Sequence, residues 1–369
     1  MHIPVNQPIL SGNEKKYLLK CIETGWISSE GPYVSQFESK FSQRVGRKYG
    51  VAVSSGSAAL EIAIAALDLG KNDEVIMPDF TIISCASSIV RAGAEPVLID
   101  ADKDTWNMDV SLIEKKITSK TKAIMVVHIY GLPVDMDHVL RLAKKYSLKV
   151  IEDAAEAHGL EYKGRPCGSF GDLSIFSFYP NKLVTTGEGG MVVTNNKDLA
   201  ERCRSFRNLC FQKKRRFVHH ALGWNFRMTN IQAALGLAQL ERLEEFIDIK
   251  KKIGKRYTEL LRDVKGIQLP LARTEYAENI YWVYGIILKD KRFATQKIRE
   301  KLAKVGIETR PFFWPMHLQP VFKKMGLFKN EDFPIAENLA KHGFYLPSGL
   351  GLTDEQIRKI SSALQKILQ

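Results

Sequence analysis

Lys182 and Asp153 are the residues with which this chain could do covalent chemistry. Lys182 lies in the stretch 173–194, LSIFSFYPNKLVTTGEGGMVVT, in a polar loop between apolar runs at 173–178 and 191–194. The alternation and β-rich composition of those runs predict strands packed into a core. Gly187, Gly189 and Gly190 allow a positive φ or a close backbone approach in the loop. A lysine so constrained is expected to be partly desolvated, which lowers its pKa and lets the amine condense with a carbonyl. Alone, it would read as a solvated lysine on a hairpin. Residues 150–159, VIEDAAEAHG, change that reading: they begin as a hydrophobic strand and end in carboxylates and small residues. An acidic residue at the carboxyl end of a parallel strand lies where open α/β sheets bind ligands. The ordered pair suits pyridoxal 5′-phosphate (PLP). Lys182 would hold its aldehyde, and Asp153 would keep its pyridine nitrogen protonated so that the ring accepts electrons from a carbanion.

The elements around this pair alternate. Residues 13–24 read as an amphipathic helix closed by Gly25, followed by a Gly/Ser/Pro loop at 26–33 and helical periodicity over 34–45. A short strand at 51–53, the turn Ser54-Ser55-Gly56-Ser57 and a helix at 58–67 form either an anion cradle or a helix start capped by Ser57. Further strands are predicted at 74–77, 96–99 and 122–128, with helices at 82–93 and 139–148. This succession from 51 to 194 implies an α/β fold with a mostly parallel central sheet and helices on both faces. His128 and His158 read as packed residues rather than acid–base groups. A long helical pattern at 231–264 is expected to bridge two units, a large domain at 1–249 and a smaller α/β domain at 250–369.

Ordered blocks run through nearly the whole chain: GWISSEGPYV, SSGSAAL, VHIYGLPVDMD, IEDAAEAHG, FSFYPNK…TTGEGGMVVT, NFRMTN and RPFFWPMH. In these blocks the sequence resembles the DegT/DnrJ/EryC1/StrS sugar aminotransferases, which are fold-type I PLP enzymes. The resemblance implies transfer of an amino group from L-glutamate to a nucleotide-linked keto sugar, and most closely to C4 of GDP-4-keto-6-deoxymannose. Amination of a dTDP- or UDP-linked sugar, or at C3, stays open. It implies Lys182 and Asp153 as catalytic residues, with Ser55, Gly56, Ser57 and Ser177 around the cofactor phosphate. Asn225 would reach the phosphate of the other subunit in a homodimer with shared active sites. Trp26, Ser28 and Ser29 are expected near the sugar, with His317 a further substrate contact. Two positions depart from the usual pattern. Ile82 stands where an aromatic commonly stacks on the cofactor ring, leaving either Ile82 or Phe80 for that face. Glu156 replaces the commoner glutamine beside the cofactor's phenolic oxygen, where a carboxylate repels a phenolate unless a proton is shared. Family dehydratases carry histidine in place of the lysine, so Lys182 argues against dehydration.

The bulk properties are those of an ordinary soluble protein. The chain has 369 residues, 45% hydrophobic and 26% charged, and no apolar run approaches the roughly 20 residues of a membrane span. Neither a membrane partner nor a secretion signal is expected, and the chain is placed in the cytoplasm. Its five cysteines lack metal-ligand spacing, so neither a metal nor a disulfide framework is expected. The net charge of +13 raises a nucleic-acid reading, but the basic residues are dispersed and no nucleic-acid motif accompanies them. The densest basic run, QKKRRFVHH at 212–220, is either a solvated loop or a source of cations, Arg215 among them, for a diphosphate.

Overall fold

The structure, a computed structural model, describes residues 2–212, 214–290 and 293–369. Its strands in chain order begin with β1 (Tyr49–Val53), β2 (Glu74–Pro78), β3 (Glu95–Ile99), β4 (Thr121–Val127) and β5 (Lys149–Asp153). A small hairpin, β6 (Glu161–Tyr162) and β7 (Arg165–Pro166), precedes β8 (Leu173–Ser177) and β9 (Gly190–Thr194). Seven of these form one sheet in the order β1-β9-β8-β5-β4-β2-β3. β9 runs antiparallel to both neighbours, and the other pairings are parallel. The strands are nearly continuous apolar runs such as Ala123–Val127, buried on both faces, as helix-covered parallel strands must be.

The helices start and stop where local chemistry directs. Glu14–Thr24 ends at Gly25, whose φ of 72° gives the left-handed cap. Helix Met136–Tyr146 starts on the Asp135 side chain and stops at Ser147. The helix after β1 is Gly56–Ala66, and its cap is Ser55, whose side chain accepts the N–H of Ala58, not Ser57 as one sequence reading had it. The expected single helix over 231–264 is two, Asn230–Leu240 and Leu243–Leu261. Neither glycine nor proline breaks it. Arg242 leaves helical geometry at φ −112°, ψ 13°, while donating to Ser11 and Glu245, and Glu241 accepts from Asn13 and Tyr17.

A second sheet, β10 (Ile267–Gln268), β11 (Tyr284–Leu288), β12 (Arg310–Pro311) and β13 (Gly343–Leu346), is antiparallel in the order β10-β11-β13-β12. Its core gathers Tyr257, Tyr284, Ile286, Leu302, Phe344 and Leu364, together with Ile3 from the start of the chain. Conversely Trp282, Phe312, Met316 and Phe333 belong to the core of the large sheet. The two cores therefore interlock in sequence, and helix Leu243–Leu261 runs through residue 250. No helix among the described residues is long and apolar enough to cross a membrane, and all five cysteines are free and buried.

Candidate active site

Parallel strands end on one side of the sheet, so the loops after β1, β2, β4, β5 and β8 meet there. They enclose a cleft of ≈ 320 Å³ lined by Ser55, Gly56, Ser57, Ile82, Asp153, Glu156, Ser177 and Lys182. Eight residues singled out from the sequence thus line one cleft. Lys182 is held on a loop that its own polar residues brace. Its N–H donates to the Tyr179 carbonyl, the Thr185 hydroxyl to the Phe178 carbonyl, and the Thr186 hydroxyl to the Glu188 carbonyl.

Asp153, at the carboxyl end of β5, is 1% exposed. Its Oδ1 accepts the Ala155 N–H at 3.0 Å, and its Oδ2 accepts the thiol of Cys85 at 3.3 Å. Burial raises its pKa against those donors and the Lys182 charge. Nζ of Lys182 stands 3.9 Å from Oε1 of Glu156, whose Oε2 accepts the Tyr130 N–H at 3.0 Å. Burial pushes the lysine pKa down and the glutamate pKa up, while each opposes that change in the other. The protonation of each therefore depends on the charge of the other.

These groups fit PLP. Ser55, Gly56 and Ser57 at the start of helix Gly56–Ala66 line the cleft, where the dipole's positive end and the N–H groups of Gly56 and Ser57, which lie ahead of the helix ladder, suit a phosphate. A Cβ on Gly56 would stand 2.8 Å from Cβ of Ser177, so only glycine leaves that cradle open. The Ser57 hydroxyl pairs with Ser84 at 2.7 Å on the same rim, and the Ser177 hydroxyl accepts the Tyr179 N–H. Asp153, with one weak thiol donor on Oδ2, has room for the charged N–H of a pyridinium. Ile82 lines the cleft at 42% exposure, whereas Phe80 is buried against Tyr130, Phe312 and Phe313 and does not line it.

Other expected site residues lie elsewhere. His317 does not face the cleft: it is 3% exposed, with Nδ1 on Asp79 at 2.8 Å and Nε2 on Glu337 at 3.2 Å. Burial lowers its pKa, but the two carboxylates outweigh that and raise it. It links the loop after β2 to helix Pro334–His342, away from this chain's own cleft. Trp26, Ser28 and Ser29 are in a loop pinned to Asn230, which donates to the carbonyls of Trp26 and Ser28. Asn225 accepts from Arg227, and Arg215 lines a separate surface groove with Arg204 and His220. None of these five lines this chain's cleft. Lys213 of the basic run lies outside the described residues.

His128 is packed as expected. Its Nε2 meets Glu152 at 3.0 Å and its Nδ1 accepts the Val134 N–H, so both ring nitrogens are engaged within a buried group that also holds Cys167. His158 is caged by Phe41, Phe176 and Phe178, and burial holds its pKa near 3. The sequence reading missed Tyr130, Trp282, Phe313 and Tyr345, which close the cleft. The Tyr130-Gly131 pair held the signal, because Tyr130 has φ 56° and Gly131 φ 110°. Such backbone marks a close approach, here by residues 279–282.

Comparison with known proteins agrees with this geometry. A family model described as the DegT/DnrJ/EryC1/StrS aminotransferase family matches residues 8–365. GDP-perosamine synthase of Escherichia coli O157:H7 is 43% identical over 365 residues, covering 99% of this chain and 98% of that protein. The protein of the same name from Caulobacter vibrioides is 41% identical over 367 residues, covering 99% and 98%. Among solved structures, Helicobacter pylori PseC, an aminotransferase involved in the biosynthesis of pseudoaminic acid, superposes with a TM-score of 0.93. It is 27% identical, with 99% of each chain covered. With the lysine, the aspartate and the phosphate cradle in one cleft, the chain belongs to the DegT/DnrJ/EryC1/StrS family of PLP-dependent sugar aminotransferases.

Proposed function

We propose that this enzyme moves the amino group of L-glutamate to C4 of GDP-4-keto-6-deoxy-D-mannose, giving GDP-perosamine, and works as a homodimer with shared active sites. The observation that carries the substrate is the 43% identity, over 99% of the chain, to a protein named GDP-perosamine synthase. Bound PLP supplies an aldehyde for the amine and an electron sink for the carbanion. Lys182 Nζ would hold that aldehyde, and as a free amine it would take the proton from Cα of the donor. In the second half-reaction the same nitrogen delivers a proton to C4 of the sugar. Asp153 holds positive charge on the pyridine nitrogen throughout. Glu156, 3.9 Å from the amine, accepts a proton when Lys182 must be neutral and returns it afterwards. Tyr130, Trp282, Phe313 and Tyr345 exclude water from the reacting atoms.

Trp26, Ser28, Ser29, Arg215 and Asn225 stand off this chain's own cleft, which is consistent with their serving the other subunit's site. There Asn225 would meet the phosphate, and Arg215 the sugar diphosphate by bidentate pairing. The test is a panel of GDP-, dTDP- and UDP-linked 4-keto and 3-keto sugars with glutamate, the product's amino position read by NMR. GDP-perosamine from the GDP sugar is expected with the highest kcat/KM. A higher kcat/KM on a dTDP or UDP sugar, or amination at C3, would replace the proposed substrate.

A further inference from the structure

We propose that Trp282 is a positioning residue for Lys182: its indole N–H fixes the peptide from which the lysine projects, and its ring face seats the amine. Nζ of Lys182 lies 4.0 Å from the Trp282 ring centroid, inside the roughly 6 Å range of a cation–π contact. Nε1 of Trp282 donates to the Asn181 carbonyl at 2.9 Å, and Nδ2 of Asn6 donates to the same oxygen at 2.9 Å. Two residues remote in sequence thus clamp the peptide that leads into the lysine. The indole itself is fixed, being 3% exposed and stacked with Tyr130 at 6.1 Å and 27°.

The ring face contributes what the other groups around the amine cannot. Glu156 at 3.9 Å and Asp153 favour the ammonium, but Glu156 trades a proton with the amine and Asp153 is committed to the pyridine nitrogen. His158 is neutral in its aromatic cage, and the phenols of Tyr130 and Tyr345 and the carboxylate of Glu188 complete the surrounding wall. Trp282 favours the ammonium and does not titrate. It offsets part of the burial that depresses the amine and keeps Nζ over one spot while Lys182 is off the cofactor. Gly131 makes the arrangement possible, since a Cβ there would stand 2.8 Å from the backbone nitrogen of Trp282.

The inference rests on Lys182 being the residue that captures PLP, and not on the identity of the sugar. Its test uses the cofactor-free full-length enzyme and PLP alone. Capture at a series of pH values is fixed with borohydride and counted by peptide mass. Trp282→Leu and Trp282→Met, which lack a ring, are expected to move the half-maximal pH of Lys182 capture down by about one unit. Trp282→Phe, which keeps a ring and lacks the N–H, is expected to hold the wild-type midpoint with a plateau rate several-fold lower. An unchanged midpoint in both ring-free variants overturns the proposal, as does a Trp282→Phe midpoint that moves as far as theirs. Label on another residue in the wild type overturns the Lys182 assignment instead, and the peptide map tells the two failures apart.

Discussion

Asp153 is a carboxylate placed where charge is costly and only lightly offset. Its two donors are one backbone N–H and one thiol, and burial already raises its pKa. The charged pyridine nitrogen of PLP therefore gains more from Asp153 than it would from a solvated carboxylate. Asp153→Asn keeps the shape and removes the charge. Turnover is expected to fall by about 10²-fold or more, on the scale of losing a group that governs proton transfer. PLP should also dissociate more readily, as read by absorbance during dialysis. Wild-type turnover in the asparagine variant would refute the role. The lysine and the aspartate could be found in the sequence because their chemistry is written in residue type and loop composition. Histidine types carry no such mark: only the structure shows that His317 and His128 are buried with both ring nitrogens engaged.

At the scale of the element, β5 serves two purposes because side chains alternate along a strand. Asp153 faces the cleft while its neighbour Glu152 faces inward. There Glu152 accepts from Nε2 of His128, the hydroxyl of Ser174, and the N–H groups of Gly168, Phe170 and Gly171. Burial pushes the Glu152 pKa up, but those donors and the His128 contact outweigh it and hold the pKa at about 2. In the folded chain Glu152 stays charged at a pH where the unfolded chain has bound a proton. Its stabilisation is present above the unfolded value of 4.5 and is lost as pH falls through about 2. Across that window it amounts to roughly 3 kcal/mol. Thermal melts of Glu152→Gln should start lower at neutral pH and change less than wild type between those two pH values. A second element, the exit from β4, is a matter of backbone. Gly131→Ala puts a Cβ at φ 110° and 2.8 Å from the nitrogens of Tyr281 and Trp282. A loss of about 2 kcal/mol or more in urea unfolding is expected, with weaker PLP binding as Trp282 shifts. An alanine variant with wild-type stability and affinity would show that the close approach is dispensable.

On the scale of the whole molecule, the cleft is closed by residues from both sheets' surroundings. Trp282, Phe313 and Tyr345, from the last third of the chain, cover Lys182 and Asp153 from the first two thirds. The proposed dimer extends this sharing, since Asn225 stands off the cleft of its own chain. Lys182→Ala is expected to lose about 10²–10⁴ in turnover. Asn225→Asp, which sets a carboxylate against the phosphate, is expected to be similarly weak. Coexpressed in one cell, the two variants should form mixed dimers in which one site pairs an intact Lys182 with an intact Asn225. Activity well above either parent is the expected outcome, measured on purified dimers carrying two different tags. No recovery would argue against a shared site.

The sequence by itself determined the alternating α/β order, the sheet that follows from it, the PLP lysine and aspartate, and the glycine–serine cradle. Each of these is a local property: hydrophobic period, strand ends, or a turn feeding a helix start. Contacts between distant segments determined the remainder. The 231–264 pattern carries uninterrupted helical periodicity and breaks at Arg242 because Ser11, Asn13 and Tyr17 hold the break. Ile82 rather than Phe80 lines the cleft because Phe80 is drawn into a cluster with Tyr130, Phe312 and Phe313. Trp282 meets Lys182 only after two sheets have packed. Residue types announce what chemistry is available, but which side chains share a cavity depends on packing among residues far apart along the chain.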